Sequence, residues 1–177
     1  MTASARASRT WLRLAALALT LLTACSGLPL SKREQALVNL YLECYDCVSP
    51  LDSVKAIGKR KPRAAVDSLN RALVAGPGAG PGANPGAGSG IDSVLVLAFV
   101  RDSTYRVYHG QPPLPMTRAG YVADQHGRYD AGYQSRGAVG LGWIHDARAV
   151  ADLNAALALP LPQSVLRAVK FAIDSLP

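Results

Sequence analysis

At 177 residues the chain is long enough for one domain with a sizeable core. Its 19 basic and 12 acidic residues give a formal net charge of +7, which falls to +4 past residue 24, too slight and too scattered to argue for nucleic acid as a partner. Almost half of the residues are hydrophobic (49%), yet nothing beyond residue 24 is long and apolar enough to span a bilayer, which takes about 20 such residues.

The first 24 residues read as a leader, not as fold. Residues 1–13 carry Arg6, Arg9 and Arg13 with no acidic residue, and residues 14–24 (LAALALTLLTA) form a short apolar run. A positive start followed by an apolar core is the pattern of a secretory signal peptide. Leu22-Thr23-Ala24-Cys25 then resembles the lipobox of bacterial lipoproteins. The resemblance implies cleavage before Cys25, acylation of its thiol with diacylglycerol, and a cell-envelope location on the periplasmic side. Ser26 at the next position implies sorting to an outer membrane where the cell has one. Two or three acyl chains anchor firmly, because each buried methylene contributes about 0.8 kcal/mol. Losing residues 1–24 leaves 153 of 177 residues and 16 basic against 12 acidic ones, a net charge of +4 suited to contact with anionic lipid or cell wall.

Residues 25–31 form a short lipidated tether, and from residue 32 the pattern turns helical. Leu37, Leu40, Tyr41 and Cys44 recur at helical spacing, which predicts a buried face. Pro50 closes that helix or separates it from the next. Two shorter helices are expected over residues 51–58 and 64–74, around the basic turn 59–63, completing a first helical region at 32–75. Residues 76–90 (GPGAGPGANPGAGSG) have too little apolar surface to order themselves and are expected as a flexible loop. Residues 91–108 contain an unbroken apolar run, 94–100, that fits a buried helix or a buried strand equally well. Three prolines make 111–115 irregular. Thr117 caps a helix expected to run to about Gly142, and further helices are predicted at 147–159 and 163–176. The second helical region is thus 91–177.

Shifting the chain by 84 residues brings two segments into register without a gap. Gly58, Ala65, Val66, Leu69, Asn70, Ala72 and Leu73 meet Gly142, Ala149, Val150, Leu153, Asn154, Ala156 and Leu157. Gly142 is expected to end its helix in a left-handed conformation, Asp146 to cap the next, and Val150, Leu153 and Leu157 to form a buried stripe. On these features residues 136–173 resemble a HEAT or HEAT-like repeat followed by the first helix of the next, with 51–73 a second, poorer copy. The resemblance implies an all-α fold, a short α-solenoid of antiparallel helix pairs, whose extended surface binds other proteins.

Chemistry-bearing motifs are few. Cys44-Tyr45-Asp46-Cys47 is open to three readings: a structural disulfide, two reduced core cysteines, or a redox or metal pair. Valine at 48 excludes attachment of a c-type haem. His109, His126 and His145 lack metal-ligand spacing, and His145-Asp146 lacks the nucleophile context of a hydrolase. The glycine run 137–142 follows GxxGxG, not a dinucleotide fingerprint. Tyr121, Tyr129 and Tyr133 fall at spacings that place them on one helix face, a packing stripe or an aromatic patch for a partner. Together with Arg148 in the interhelix turn they are the candidate partner-binding residues. The expectation is a non-enzymatic, membrane-anchored interaction module without a cofactor, held by lipid on Cys25 and binding a protein. The alternative is a thiol-based redox protein or small envelope enzyme using Cys44 and Cys47.

Overall fold

The computed structural model describes residues 28–44, 49–77 and 87–176. The leader with Cys25, the segment 45–48 with Cys47, and residues 78–86 of the glycine-rich stretch lie outside the described residues. Among the described residues there are seven helices and no strand. These are α1 (Lys32–Glu43), α2 (Ser49–Arg60), α3 (Pro62–Ala75), α4 (Ala87–Tyr108), α5 (Arg118–Ile144), α6 (Ala147–Ala156) and α7 (Gln163–Asp174). The all-α class expected from the periodicity is the class the chain adopts.

Local chemistry sets most boundaries. Ser31 and Glu34 form a reciprocal capping box at the start of α1. Pro62 stands at the first turn of α3, where its missing N–H costs nothing, and it pushes Lys61 out of the helical region, so α2 and α3 are separated by one residue. The Thr117 hydroxyl accepts from the Gly120 N–H at 3.1 Å and opens α5. The Asp146 carboxylate accepts from the Arg148 N–H at 3.0 Å and opens α6.

Four local expectations are corrected. The left-handed residue that ends α5 is His145 (φ 55°), not Gly142, which lies buried inside the helix. The buried face of α1 is Glu34, Val38, Tyr41 and Leu42, while Leu40 is half exposed, so the face is rotated by about one residue. In α6 the covered residues are Ala149, Leu153 and Ala156, whereas Val150 and Leu157 are 36% and 38% exposed because no further helix stacks beyond them. The stretch 91–108 is a helix, and it begins inside the glycine-rich segment at Ala87.

Helix α5 touches every other helix. Its C-terminal half runs antiparallel to α3, with Gly137 against the backbone of Leu69 and Leu73 and Gly140 against the side chains of Leu69 and Tyr41. Gly142 meets the backbone and Cβ of Ala172 in α7, and Ile144 fills the space over Gly58 in α2. At Gly137 and Gly142 neighbouring backbone occupies the volume a side chain would need, and at Gly140 and Gly58 packed side chains of Leu69, Tyr41 and Ile144 do so. The core closes around these contacts with Val54, Ile57, Val66, Leu69, Leu73, Leu141, Leu153, Val165 and Val169, each at most 1% exposed. From Tyr41 the phenol donates to the Arg136 carbonyl at 3.0 Å, and the Arg136 guanidinium donates back to the Leu42 carbonyl, tying α1 to α5. Burial pushes the Tyr41 phenol up to about 12.

The two segments related by 84 residues are both helix–turn–helix, but they turn differently: Lys61 alone separates α2 from α3, whereas the left-handed His145 and Asp146 separate α5 from α6. Under that shift the last residue of α2, Arg60, coincides with the last residue of α5, Ile144. Ala65 and Ala149, Leu69 and Leu153, and Ala72 and Ala156 are all buried.

Substituting Gly137 with alanine sets a new Cβ 2.9 Å from the Leu69 carbonyl oxygen and the Leu73 nitrogen, so Gly137→Ala is expected to destabilise by roughly 1–3 kcal/mol. Gly127, in the same helix, has nothing within 4 Å, and Gly127→Ala is expected to stabilise by up to about 1 kcal/mol. Urea-unfolding midpoints of the two variants, moving in opposite directions, test this account of the glycines.

Candidate functional site

The N-terminal half of α5 carries α4 alongside it, and α4 packs extensively on no other helix. The pair forms an antiparallel arm that projects from the body. Along the seam Phe99 meets Tyr121 edge to face at 5.5 Å between centroids. The Tyr121 phenol donates to Asp102 at 3.0 Å, and this bond to the carboxylate raises the phenol above its ordinary range. His126 and Asp92 are paired further along, and Arg106 donates to the Pro112 carbonyl at 3.0 Å to close the tip.

The opposite side of α4 is uncovered and mostly apolar, with the exposed Arg101 standing between Leu97 and Tyr105. Val94, Leu97, Tyr105 and Tyr108 follow one another at spacings of 3, 8 and 3 residues, which share a helix face, and they are 62%, 68%, 58% and 84% exposed. Val100 and Val107 flank them at 51% and 73%. A helix apolar on both sides is normally covered on both sides, and here α5 covers one. Clusters of exposed apolar side chains of this kind mark interaction sites on soluble domains.

The candidate residues from the sequence are not assembled into one patch. Tyr121 lies under α4 in the seam. Tyr129 and Tyr133 stack with centroids 6.5 Å apart, Tyr133 buried and Tyr129 37% exposed. Burial raises both phenols, with Glu43 adding to it. The Arg148 guanidinium is held by both oxygens of Asp146 at 2.9 and 2.8 Å, and that pairing lowers the Asp146 carboxyl, so the arginine serves the cap of α6. Cys44 is disulfide-bonded, while Cys25 and Cys47 lie outside the described residues. Sequence reasoning missed the outer face of α4. Its signal was the apolar run 94–100 itself, since an unbroken run in a helix must leave apolar residues on more than one side.

A second polar feature lies where the chain joins the fold. Glu34 accepts from the Ser31 N–H at 2.8 Å and from Lys61 at 2.7 Å, and Arg60 approaches its other oxygen at 3.5 Å. Lys61 also donates to the Pro29 carbonyl at 3.0 Å. These bonds, led by that from Lys61, lower the Glu34 carboxyl to about 2. Beside it a shallow cleft of about 370 Å³ is lined by Pro29, Leu30, Gln35, Arg63, Asp67 and Arg71, with no nucleophile–base pair. Among the described residues no three His, Cys, Asp or Glu side chains are grouped to hold a metal ion, and no helix is long and apolar enough to cross a membrane.

No family model, curated protein or solved structure matches the chain.

The Glu34 carboxyl is lower in the fold than its ordinary value of 4.5, so its stabilising effect is complete above that value and fades as pH falls toward 2. Glu34→Gln is therefore expected to lower stability near neutral pH and to flatten the acid-side loss between about pH 5 and 2, as read by thermal melting across that range. Peptide mapping without reduction is expected to recover residues 44 and 47 in one disulfide-linked fragment; a linkage from Cys44 to Cys25 would remove the thiol that lipidation requires.

Proposed function

We propose that the chain is a lipid-anchored protein of the cell envelope whose helices stack as HEAT-like repeats and present the α4–α5 arm to a protein partner. The observation that carries the reading is the uncovered apolar face of α4. Among the described residues α5 is the helix that packs extensively along α4, and it takes the side away from this face.

Two features support the repeat stack. With α4 set aside, helices pack on their nearest and next-nearest neighbours in chain order, α1 reaching α5 as the one further contact among the described residues. The glycines equivalent under the 84-residue shift also make equivalent contacts: Gly58 of α2 meets α5, and Gly142 of α5 meets α7. In a repeat array each unit touches only its neighbours, and such repetition of contacts is its mark. The anchor rests on the leader and the lipobox-like Leu22-Thr23-Ala24-Cys25. In this reading the Cys44 disulfide is a clamp at the end of α1, not a reactive thiol.

A photo-crosslinking residue placed at Leu97 in the full chain, in its native envelope, is expected to give a discrete adduct that Val94→Glu with Tyr108→Glu abolishes. The same probe at the exposed Arg167 of α7 is expected to give none. An adduct of twice the chain mass identifies the partner as a second copy. Absence of an adduct from every α4 position, or identical adducts from α7, overturns the interaction reading. Separately, intact-mass analysis is expected to show a chain beginning at Cys25 and carrying diacylglycerol; an unmodified amino terminus refutes the anchor.

A further inference from the structure

The positive charge of the chain past residue 24 is gathered at one place. Lys32 and Arg33 open α1, and Lys59, Arg60, Lys61 and Arg63 surround the α2–α3 junction. The bonds from Lys61 to the Pro29 carbonyl at 3.0 Å and to Glu34 at 2.7 Å, with Arg60 at 3.5 Å from Glu34, bring these two stretches together. Lys32, Arg33, Lys59, Arg60 and Arg63 are all exposed. Residues 32–34 and 59–63 hold six basic residues and one acid, a net +5, and the remaining ten basic and eleven acidic residues past residue 24 sum to −1. The nearby Asp146 is matched by Arg148, and Asp67 lies one turn further along α3.

The collar surrounds the point where the chain's N-terminal segment meets the fold. Pro29 is fastened to it by Lys61, and the adjoining Leu28 is 51% exposed. Lys32, Arg33, Lys59 and Arg63 make no hydrogen bond or ion pair among the described residues, so their charges are not spent on the fold.

We infer that this basic collar seats the body on the anionic phosphate surface of a lipid bilayer, with Leu28 and Pro29 beside it. Two or three acyl chains already anchor the chain, and a polybasic patch beside them adds attraction to anionic lipid and holds the body against the surface. Basic residues near an anionic leaflet attract it and lose that attraction beyond a Debye length. The collar also fixes which end of the body faces the membrane. The choice of a bilayer over another polyanion rests on the anchored reading above.

The test removes the acyl chain, so that it can fail independently of that reading. A chain starting at Ser26 retains every described residue and is mixed with vesicles of phosphatidylcholine alone, or of equal parts phosphatidylcholine and phosphatidylglycerol. Flotation with the anionic vesicles at low ionic strength, and none with the neutral ones, is expected, with release near 1 M salt, where the Debye length is about 3 Å. Changing Lys32, Arg33, Lys59 and Arg63 to glutamine is expected to weaken binding by at least a hundredfold, at about fivefold per charge. A charge-matched control at Arg101, Arg118, Arg167 and Lys170 is expected to leave it nearly unchanged. Circular dichroism and the thermal midpoint confirm that both variants fold. Equal binding to neutral vesicles, equal losses in the two variants, or binding to soluble polyphosphate without binding to vesicles overturns the inference.

Discussion

The backbone of α5 lies against the backbone of α3 at Gly137, and the rest of the body is arranged around that approach. A Cβ at this position would sit 2.9 Å from a carbonyl oxygen and an amide nitrogen of α3. Leu69 and Leu73 are fully buried at this approach, and the side chains of Leu69 and of Tyr41 in α1 cover Gly140. Gly142 repeats the device toward α7. A core with small residues at its central contact and leucines around it tolerates little change in volume, since packed interiors feel a single methylene. Glycine costs up to about 1 kcal/mol against alanine in a helix interior, and here tertiary packing outweighs that preference.

The helical class, the order of the elements and most of their ends were legible in the sequence, because they depend on local chemistry. Ser31 with Glu34, Pro62, Thr117 and Asp146 are caps or breaks whose side chains act within one turn of themselves. Gly142 and the stripe of α6 were misjudged for one reason, namely that each depends on what stacks alongside. A helical glycine facing a backbone and a glycine ending a helix look the same in one dimension. Val150 and Leu157 align with Val66 and Leu73, yet α3 has helices on both sides and α6 has not. The same limit applies to the candidate site. Tyr121 is drawn into the seam by Phe99 and Asp102, which sit 22 and 19 residues away on a helix whose existence the apolar run alone left undecided.

Charge follows a similar division. As a list of residues, a net +4 past residue 24 is unremarkable, and it gains meaning only when two basic stretches are folded onto the same end of the body. Glu34 holds them there: its carboxylate is the acceptor that Lys61, Arg60 and Ser31 converge on. Function in this reading is therefore divided by position, with the attachment chemistry around Pro29 and the apolar surface on the arm.

The 27 residues of α5 run unbroken from the core to the tip of the arm, a rod of about 40 Å. The C-terminal end of that rod lies beside Gly58, near the residue that fastens Pro29, so the tip stands at the far end from the tether. With no joint along its length, α5 behaves as a lever whose fulcrum is the glycine seam. Torque applied to the arm is delivered to the close backbone approaches at Gly137 and Gly142, and the end of the body beside Pro29 feels it without any loop having to move.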